Sequence, residues 1–377
     1  MPPGDFEGLK SLLAQLSTKA VHRTGQHYPF ISIQEAGLDG FWIHRLLEKE
    51  GIESHIVDPA SIATSRRRRR AKTDKLDGET LLRTLLAYKR GDPRICAMAR
   101  VPTPQEEDRR RVSRERRILI NERVSVTNRL KGLLFCHGIA GFEPVRQDRW
   151  ERFAELQADN GQPLSPYIKA ELERMLDRID LIQKQIKAVE AARDQLIVDD
   201  VQTQAPSAAM LLRLKGVGPD FAETIWSECL YRHFDNRRQL AAYAGLAPTP
   251  WQSGSISREQ GVSQSGNPRL RTIMVQLAWF WLLHQLDSAL TKWFRERTKI
   301  DGRRQTVIIA LARKLLIALW KFVRFGEVID GAVMKNPTAR CAKLLSPGAD
   351  QPRRGKAGKP ALPWAQQPVE QRLVLSA

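Results

Sequence analysis

Several things are scarce in this chain. Cysteine is one: Cys96, Cys136, Cys229 and Cys341 are the only four in 377 residues, and no two stand at a paired spacing. That excludes a disulfide framework and a zinc knuckle. Long apolar runs are also missing. The longest, Ile273 to Leu283, is interrupted by Gln276 and closed by His284, whereas a membrane span needs about 20 apolar residues. The opening MPPGDFEGLK lacks the pattern of a secretory signal. The seven histidines are dispersed, so no Ser–His pairing stands out. Acid is the last shortage. Asp and Glu number 42 against 61 Lys and Arg, giving a net charge of +19 and a pI near 10.1. A balance this basic points to a polyanion, with nucleic acid ahead of a membrane surface. The composition reads as cytosolic. Hydrophobic residues make up 42%, enough to build globular cores and too many for a wholly disordered chain.

Four stretches follow from the patterning. Residues 1–92 alternate helical and strand-like pieces. Phe6, Leu9, Leu13 and Leu16 recur at helical spacing. Phe30–Ile33 and Ser54–Val57 are short β-rich runs, separated by a helix over Phe41–Glu50 and followed by another over Leu76–Tyr88. Alternation of this kind predicts an α/β layer with a mainly parallel sheet. Residues 93–204 hold two long helices. The first opens on Thr103-Pro104-Gln105-Glu106, which has the form of a capping box with Pro at the first helical position. The second opens on Ser165-Pro166 and carries Ile168, Leu172, Met175, Ile179, Ile182, Ile186 and Val189. Their steps of 4 and 3 form a heptad seam. The seam fits either a hairpin with the preceding helix or a coiled coil between subunits. Residues 205–336 read as all-helical, with a glycine hairpin at Gly216-Val217-Gly218 and a Ser/Gly/Pro/Gln-rich loop over Ala247–Asn267. Asn267-Pro268 starts an apolar helix, and another runs over Arg304–Phe325. Residues 337–377 carry Pro, Gly and basic residues with few apolar anchors, the composition of a disordered basic tail.

Some of these residues carry chemistry. Glu35 directly follows a strand, and in open α/β sheets the ligand crevice lies at the carboxyl ends of strands; a solvated loop Glu is the competing reading. Asp74 and Asp77 stand three apart at a helix start and share a face, although Asp there also serves as a cap. Two carboxylates on one helix face and a third from a strand end make a donor set suited to hard Mg²⁺. Such ions can activate a nucleophile and stabilise a leaving oxygen in phosphodiester cleavage. Upstream lie Arg66, Arg67, Arg68, Arg69 and Arg70, with Lys72 after them. In a chain of this charge, phosphate binding competes well with a plain solvated face. Arg109, Arg110, Arg111, Arg114, Arg116 and Arg117 circle too much of their helix to form one stripe. Gly216 and Gly218 allow backbone N–H groups to approach a phosphate, or else make a simple helix–helix turn. The serines of the loop at 247–267 are not distinguished by composition. One acting as a nucleophile would need a metal or cations such as Arg258, Arg269 and Arg271 nearby.

Together these motifs resemble one family. Glu35-Ala36-Gly37, Val57-Asp58-Pro59 and Arg70-Ala71-Lys72-Thr73-Asp74-Lys75-Leu76-Asp77 are similar to the N-terminal half of DEDD-type insertion-sequence transposases, the insertion-sequence one-ten family and relatives of the Piv invertase. The C-terminal half is similar through Leu214-Lys215-Gly216-Val217-Gly218, Leu240 to Pro248, Gln252-Ser253-Gly254 and Ser265 to Arg271. The resemblance spans roughly residues 4–335. It implies an α/β plus all-α fold: a RuvC-like (RNase H-like) nuclease domain, long coiled-coil helices and a helical transposase domain. It implies Mg²⁺-dependent DNA strand cleavage and exchange in a bacterial, nucleoid-associated setting. A structured guide RNA and a dimer or tetramer built through the coiled coil are also implied. Glu35, Asp74 and Asp77 take the places of the second, third and fourth metal-binding acids, and Ser253 that of the nucleophile. The family's first acid sits on an opening strand ahead of a hairpin. The chain begins past that point, with Asp5 before a helix, so the resemblance implies an N-terminally truncated domain. A catalytically dead, nucleic-acid-binding dimer is therefore the alternative expectation. A RuvC-like nuclease without serine chemistry is disfavoured by Ser253-Gly254.

Overall fold

The computed structural model describes residues 4–37, 41–62, 74–92, 95–157, 161–203, 208–253, 256–262, 266–302 and 304–335. At Ala60, Asp74, Asp301 and residues 202–203, 249–253 and 256–260, the description covers the backbone alone. The arginine run Arg66–Arg70, Lys72 and the expected tail from 337 lie outside the described residues.

The N-terminal part follows the alternation in its sequence. Helix α1 (Phe6–Thr24) is capped by Asp5, whose carboxylate accepts from Gly8 N at 2.8 Å, and Gly25 closes it at φ 72°. None of its residues is buried. Strand β1 (Ile31–Glu35), helix α2 (Trp42–Lys49) and strand β2 (Glu53–Val57) then form a parallel β–α–β unit, with Ile31 opposite Glu53 and Glu35 opposite Val57. Helix α3 (Asp74–Lys89) packs against β1. Its C-terminal end is fixed at the start of β2: Lys89 Nζ donates to Glu53 Oε1 at 2.6 Å, and Tyr88 stands edge-on to His55. The helix therefore runs against the strand direction.

Helix α4 (Pro104–Phe135) begins with the expected capping box. Thr103 Oγ1 accepts from Glu106 N at 3.1 Å and Glu106 Oε2 accepts from Thr103 N at 2.9 Å. After the short helix α5 (Arg149–Ala154), helix α6 (Pro166–Thr203) returns antiparallel to α4, as Arg129–Glu171 at one end and Arg109–Asp200 at the other show. The heptad seam faces α4. Leu172, Met175 and Ile179 share a core with Leu130 and Leu134, and Ile182 and Ile186 pack with Leu119. Within the chain the seam is thus closed as a hairpin. Leu176 is fully buried in this core. Leu176→Ala is expected to cost about 2–5 kcal/mol in urea unfolding followed by circular dichroism, and a cost under about 1 kcal/mol would contradict the packing.

The C-terminal part is a helical body built on one large core. It comprises α7 (Ala208–Leu212), α8 (Pro219–Ile225), a π-helical turn at Trp226–Leu230, α9 (Arg237–Tyr243), α10 (Pro268–His284), α11 (Ala289–Asp301) and α12 (Arg304–Phe325). Buried residues on α12, including Val307, Ile308, Leu311, Leu315 and Leu319, recur at three- and four-residue steps, the stripe that seats a helix on a core. They pack against Leu270, Met274, Leu277 and Trp281 of α10. Trp281 Nε1 donates to Ser288 Oγ at 2.8 Å, locking the corner into α11. No helix among the described residues is long and apolar enough to cross a membrane.

One expectation is overturned here. The loop expected over residues 247–267 holds two strands. Strands β3 (Pro248–Ser253) and β4 (Ile256–Val262) pair antiparallel, with Trp251 opposite Arg258, Gln252 opposite Ser257 and Ser253 opposite Ile256. The polar composition hid a hairpin. Thr249, Trp251, Ile256 and Val262 are strand formers.

Candidate functional site

The two halves of the expected site lie on different parts of the chain. In the α/β part, Glu35 is the exposed last residue of β1. Asp74 begins α3 and Asp77 follows it, exposed, in the same turn. Because Lys89 is anchored at the start of β2, the direction of α3 decides where these acids go. From Lys89 back to Asp77 is twelve residues, about 18 Å at 1.5 Å per residue. The five-residue strand is about as long at ~3.3 Å per residue. Laid antiparallel to the strands, α3 is thus long enough for its first turn to reach their carboxyl ends, the edge that holds Glu35. Among the described residues no group of three His, Cys, Asp or Glu side chains stands ready for a metal ion. The Asp74 side chain is not among them.

In the helical part the hairpin carries Ser253 away from its base. Six residues from Ile256 to Val262 span about 20 Å, and Ser253 sits opposite Ile256. The base is tightly drawn together. Asn267 N donates to Tyr243 O at 2.7 Å. At Gly266, φ is 102° and a Cβ would fall 2.6 Å from Tyr243 O, so only glycine fits there. Asn267 caps α10, with Oδ1 accepting from Arg269 N at 3.1 Å and Leu270 N at 3.0 Å.

Beneath the base lies a buried charge cluster that the sequence reading missed. Glu228, on the π-helical turn, is fully buried. Arg114 Nε donates to its Oε1 at 2.9 Å. Arg110 Nη2 at 3.2 Å and Asn267 Nδ2 at 3.0 Å donate to Oε2. The Tyr243 hydroxyl donates to its backbone carbonyl at 2.9 Å. Burial alone would push this carboxyl up, but the Arg114 and Arg110 guanidiniums and the Asn267 amide outweigh it and hold it down, at about 2. The Glu228 carboxylate thus ties α4 to the Asn267 foot of the hairpin, and its backbone carbonyl holds Tyr243 on the other side. The available signal was an acid inside the apolar run Ile225-Trp226-Ser227-Glu228-Cys229-Leu230, since a charge placed there must be paired.

The other arginines of α4 are largely spent inside the molecule. Arg109 forks between Glu223, at 2.8 and 2.6 Å, and Asp200, at 2.7 Å twice. Burial works against its charge, yet the two carboxylates raise it above the ordinary guanidinium range. Arg116 joins Glu190 at 2.6 Å and Asp220 at 2.9 Å. The helix that read as a basic ring is mostly a docking surface for α6 and α8. Arg117 differs: it is exposed and forms no ion pair among the described residues.

The remaining candidates separate. Gly216 has φ 92°, and a Cβ there would meet His284 Cβ at 2.9 Å. Gln285, buried beside it, donates to Lys215 O at 2.7 Å. The turn itself therefore demands this glycine. Gly218 is extended and precedes Pro219 at the start of α8. Arg258 lies on β4. Arg271 is half-buried on α10, and Arg269 donates to the Ser113 carbonyl with its Nε 3.7 Å from Glu228 Oε1.

Comparison with known proteins bears on both parts. The model of the Transposase IS116/IS110/IS902 family matches residues 208–296, which include the hairpin and its base. The chain is 61% identical over 343 residues to the protein named "Putative transposase y4rJ" of Sinorhizobium fredii strain NGR234, covering 88% of this chain and 87% of that one. It is 26% identical over 237 residues to the transposase for insertion sequence element IS1328 of Yersinia enterocolitica, covering 60% and 67%. With the pilin gene-inverting protein of Moraxella lacunata it shares 31% identity over 98 residues, 26% of this chain and 30% of that one. These similarities define the class, a transposase of an insertion sequence. Within that class, the chain belongs to the IS116/IS110/IS902 family.

Proposed function

We propose that the chain carries out Mg²⁺-dependent cleavage and exchange of DNA strands, with Ser253 as the nucleophile. The observation that supports this reading is α3, whose last turn is tied to the start of β2 by Lys89 and Glu53 and whose length suffices for Asp77 to approach the strand edge that ends in Glu35. Parallel strands with acids at that edge support a RuvC-like nuclease unit. Glu35, Asp74 and Asp77 offer only carboxylate oxygens, the donors that hard cations take, and these residues would hold Mg²⁺. The ion when bound supplies charge stabilisation on the phosphate oxygens and favours an ionised nucleophile. Ser253 contributes the attacking Oγ. The new bond is Oγ–P, the 3′ or 5′ oxygen of the cleaved strand departs, and the chain is left with a phosphoserine link. The hairpin holds Ser253 about 20 Å from its base, which lets it meet an acid site on the same or a second subunit. The partners under this reading are DNA, a structured guide RNA and further copies of the chain, with the α4–α6 hairpin as the coiled-coil element.

The test uses the full chain with duplex DNA bearing the ends of its element. Asp77→Ala and Glu35→Ala are each expected to reduce Mg²⁺-dependent cleavage to background while leaving binding within about twofold, a gap of roughly 0.4 kcal/mol. Chelation of the metal is expected to have the same result. Cleavage retained in both variants would overturn the assignment. A second reading is nucleic-acid binding without cleavage. It predicts binding with no metal-dependent product in the unaltered chain.

A further inference from the structure

One basic surface is left over once the internal ion pairs are assigned. A cleft opens where α4, α8 and α10 meet, lined by Arg116, Arg117, Asp220, Arg269 and Gln276 among others. Among the residues that line it, three guanidiniums, those of Arg116, Arg117 and Arg269, stand against one carboxylate, that of Asp220. The cleft therefore has an excess of positive charge.

The pairing within it is uneven. Both Glu228 oxygens are already filled by Arg114, Arg110 and Asn267. Arg269 consequently reaches Glu228 only at 3.7 Å, beyond hydrogen-bond range. Its charge is partly desolvated: burial above all, joined by the Arg114 and Arg117 guanidiniums, pushes Arg269 down against the opposing pull of Glu228 and Asp220. Arg117 projects from the opposite wall without an ion pair. Arg269 and Gln276 are seven residues apart, on one face of α10, about 10 Å along the cleft. Two guanidiniums on facing walls, with an amide further along, form an extended row of donors. A row suits a chain of phosphates better than a single anion.

Building on the reading of the chain as a nucleic-acid-processing protein, we propose that this cleft binds the phosphodiester backbone beside the base of the Ser253 hairpin. Arg117 and Arg269 contact phosphate oxygens, and Gln276 extends the row. The ligand is recognised through its backbone, so DNA and RNA share the necessary chemistry. The cleft lies about 20 Å from the hairpin tip, so it grips a flanking stretch of the strand rather than the phosphate under attack.

The experiment measures binding of the full chain to a DNA duplex and, separately, an RNA duplex of equal length, by fluorescence anisotropy over a salt series. Arg117→Gln is expected to weaken binding about tenfold, the effect of losing one charge-assisted hydrogen bond. It should also reduce the slope of log K against log salt by about 0.9 for DNA. Arg117→Lys should retain most of the slope. Gln276→Ala should weaken binding a few-fold with no change in slope. Arg111→Gln removes the same charge from the far face of α4, where the Arg111 guanidinium has only a 3.9 Å contact with Asp108, and should stay within about twofold of the unaltered chain. A deficit on DNA alone, on RNA alone or on both assigns the polymer that the cleft holds. Equal effects of Arg117→Gln and Arg111→Gln would overturn the cleft and leave the chain's binding activity standing. No salt-dependent binding by the unaltered chain would overturn both. Arg117 is exposed, so its variants should melt with the unaltered chain, and a lowered melting temperature would count against a direct contact.

Discussion

Ser253→Ala is expected to abolish covalent protein–DNA adducts while leaving DNA affinity within about twofold. Serine is a weak nucleophile at neutral pH and depends on neighbouring groups for activation. No substitute on the hairpin is equivalent, because register fixes position. Ser257 pairs with Gln252, one step back from the Ser253–Ile256 pair, and successive residues of a strand point to opposite faces. Ser257→Ala should therefore keep adduct formation. Denaturing gels of the full chain with Mg²⁺ and labelled element-end DNA read the result. Adducts persisting in Ser253→Ala, or lost equally in Ser257→Ala, would remove Ser253 from the mechanism. Mixing Asp77→Ala with Ser253→Ala separates two arrangements. Restored adducts place the acids and the serine on different subunits, and no restoration places them on one.

Glu228→Ala should be the most damaging change to the fold. It leaves Arg110 and Arg114 without a shared carboxylate in a buried site and deprives Asn267, at one foot of the hairpin, of an acceptor, while the Tyr243 bond to the backbone carbonyl remains. Removing one partner of a buried ion pair typically costs about 3–5 kcal/mol, to be read from chemical denaturation at neutral pH. The pH dependence has a definite sign. The carboxyl is held down to about 2 from its ordinary 4.5. Its contribution is therefore complete above pH ~4.5 and is lost as pH falls toward 2, in total about 3 kcal/mol. Glu228→Gln should be less stable than the unaltered chain at neutral pH, and the two should converge in acid. Parallel stability curves down to about pH 2 would contradict the assignment.

What the sequence disclosed was mainly periodic or local. The capping box at Thr103 and Glu106 forms as its spacing implies, and Asn267-Pro268 opens α10, because a cap depends on residues within one turn. The heptad seam from Ile168 to Val189 announced a buried helix face but not its partner, since the same pattern satisfies an intramolecular hairpin or a second subunit. The α4 arginines misled for a related reason. Their partners Asp200, Glu223 and Glu228 lie about ninety or more positions away in the chain, and charge counted along a helix cannot reveal carboxylates brought by folding. The β3–β4 hairpin was obscured by its polar composition, although both strands hold strand formers such as Trp251 and Ile256. Of the candidate site, Glu35 at the end of β1 and Asp74 and Asp77 in the first turn of α3 stand where the sequence put a strand end and a helix start. The cluster at Glu228 was legible only as an acid out of place in an apolar run.

The central claim is that Ser253 becomes joined to DNA with the help of the acids at the β1 edge. The most direct measurement is peptide mapping by mass spectrometry of the full chain after reaction with element-end DNA in Mg²⁺, followed by nuclease and protease digestion. A nucleotide remnant on the peptide containing Ser253, absent when Asp77 is replaced by Ala, is the predicted result. A remnant on another residue, or one on Ser253 that forms equally without Asp77, would contradict it.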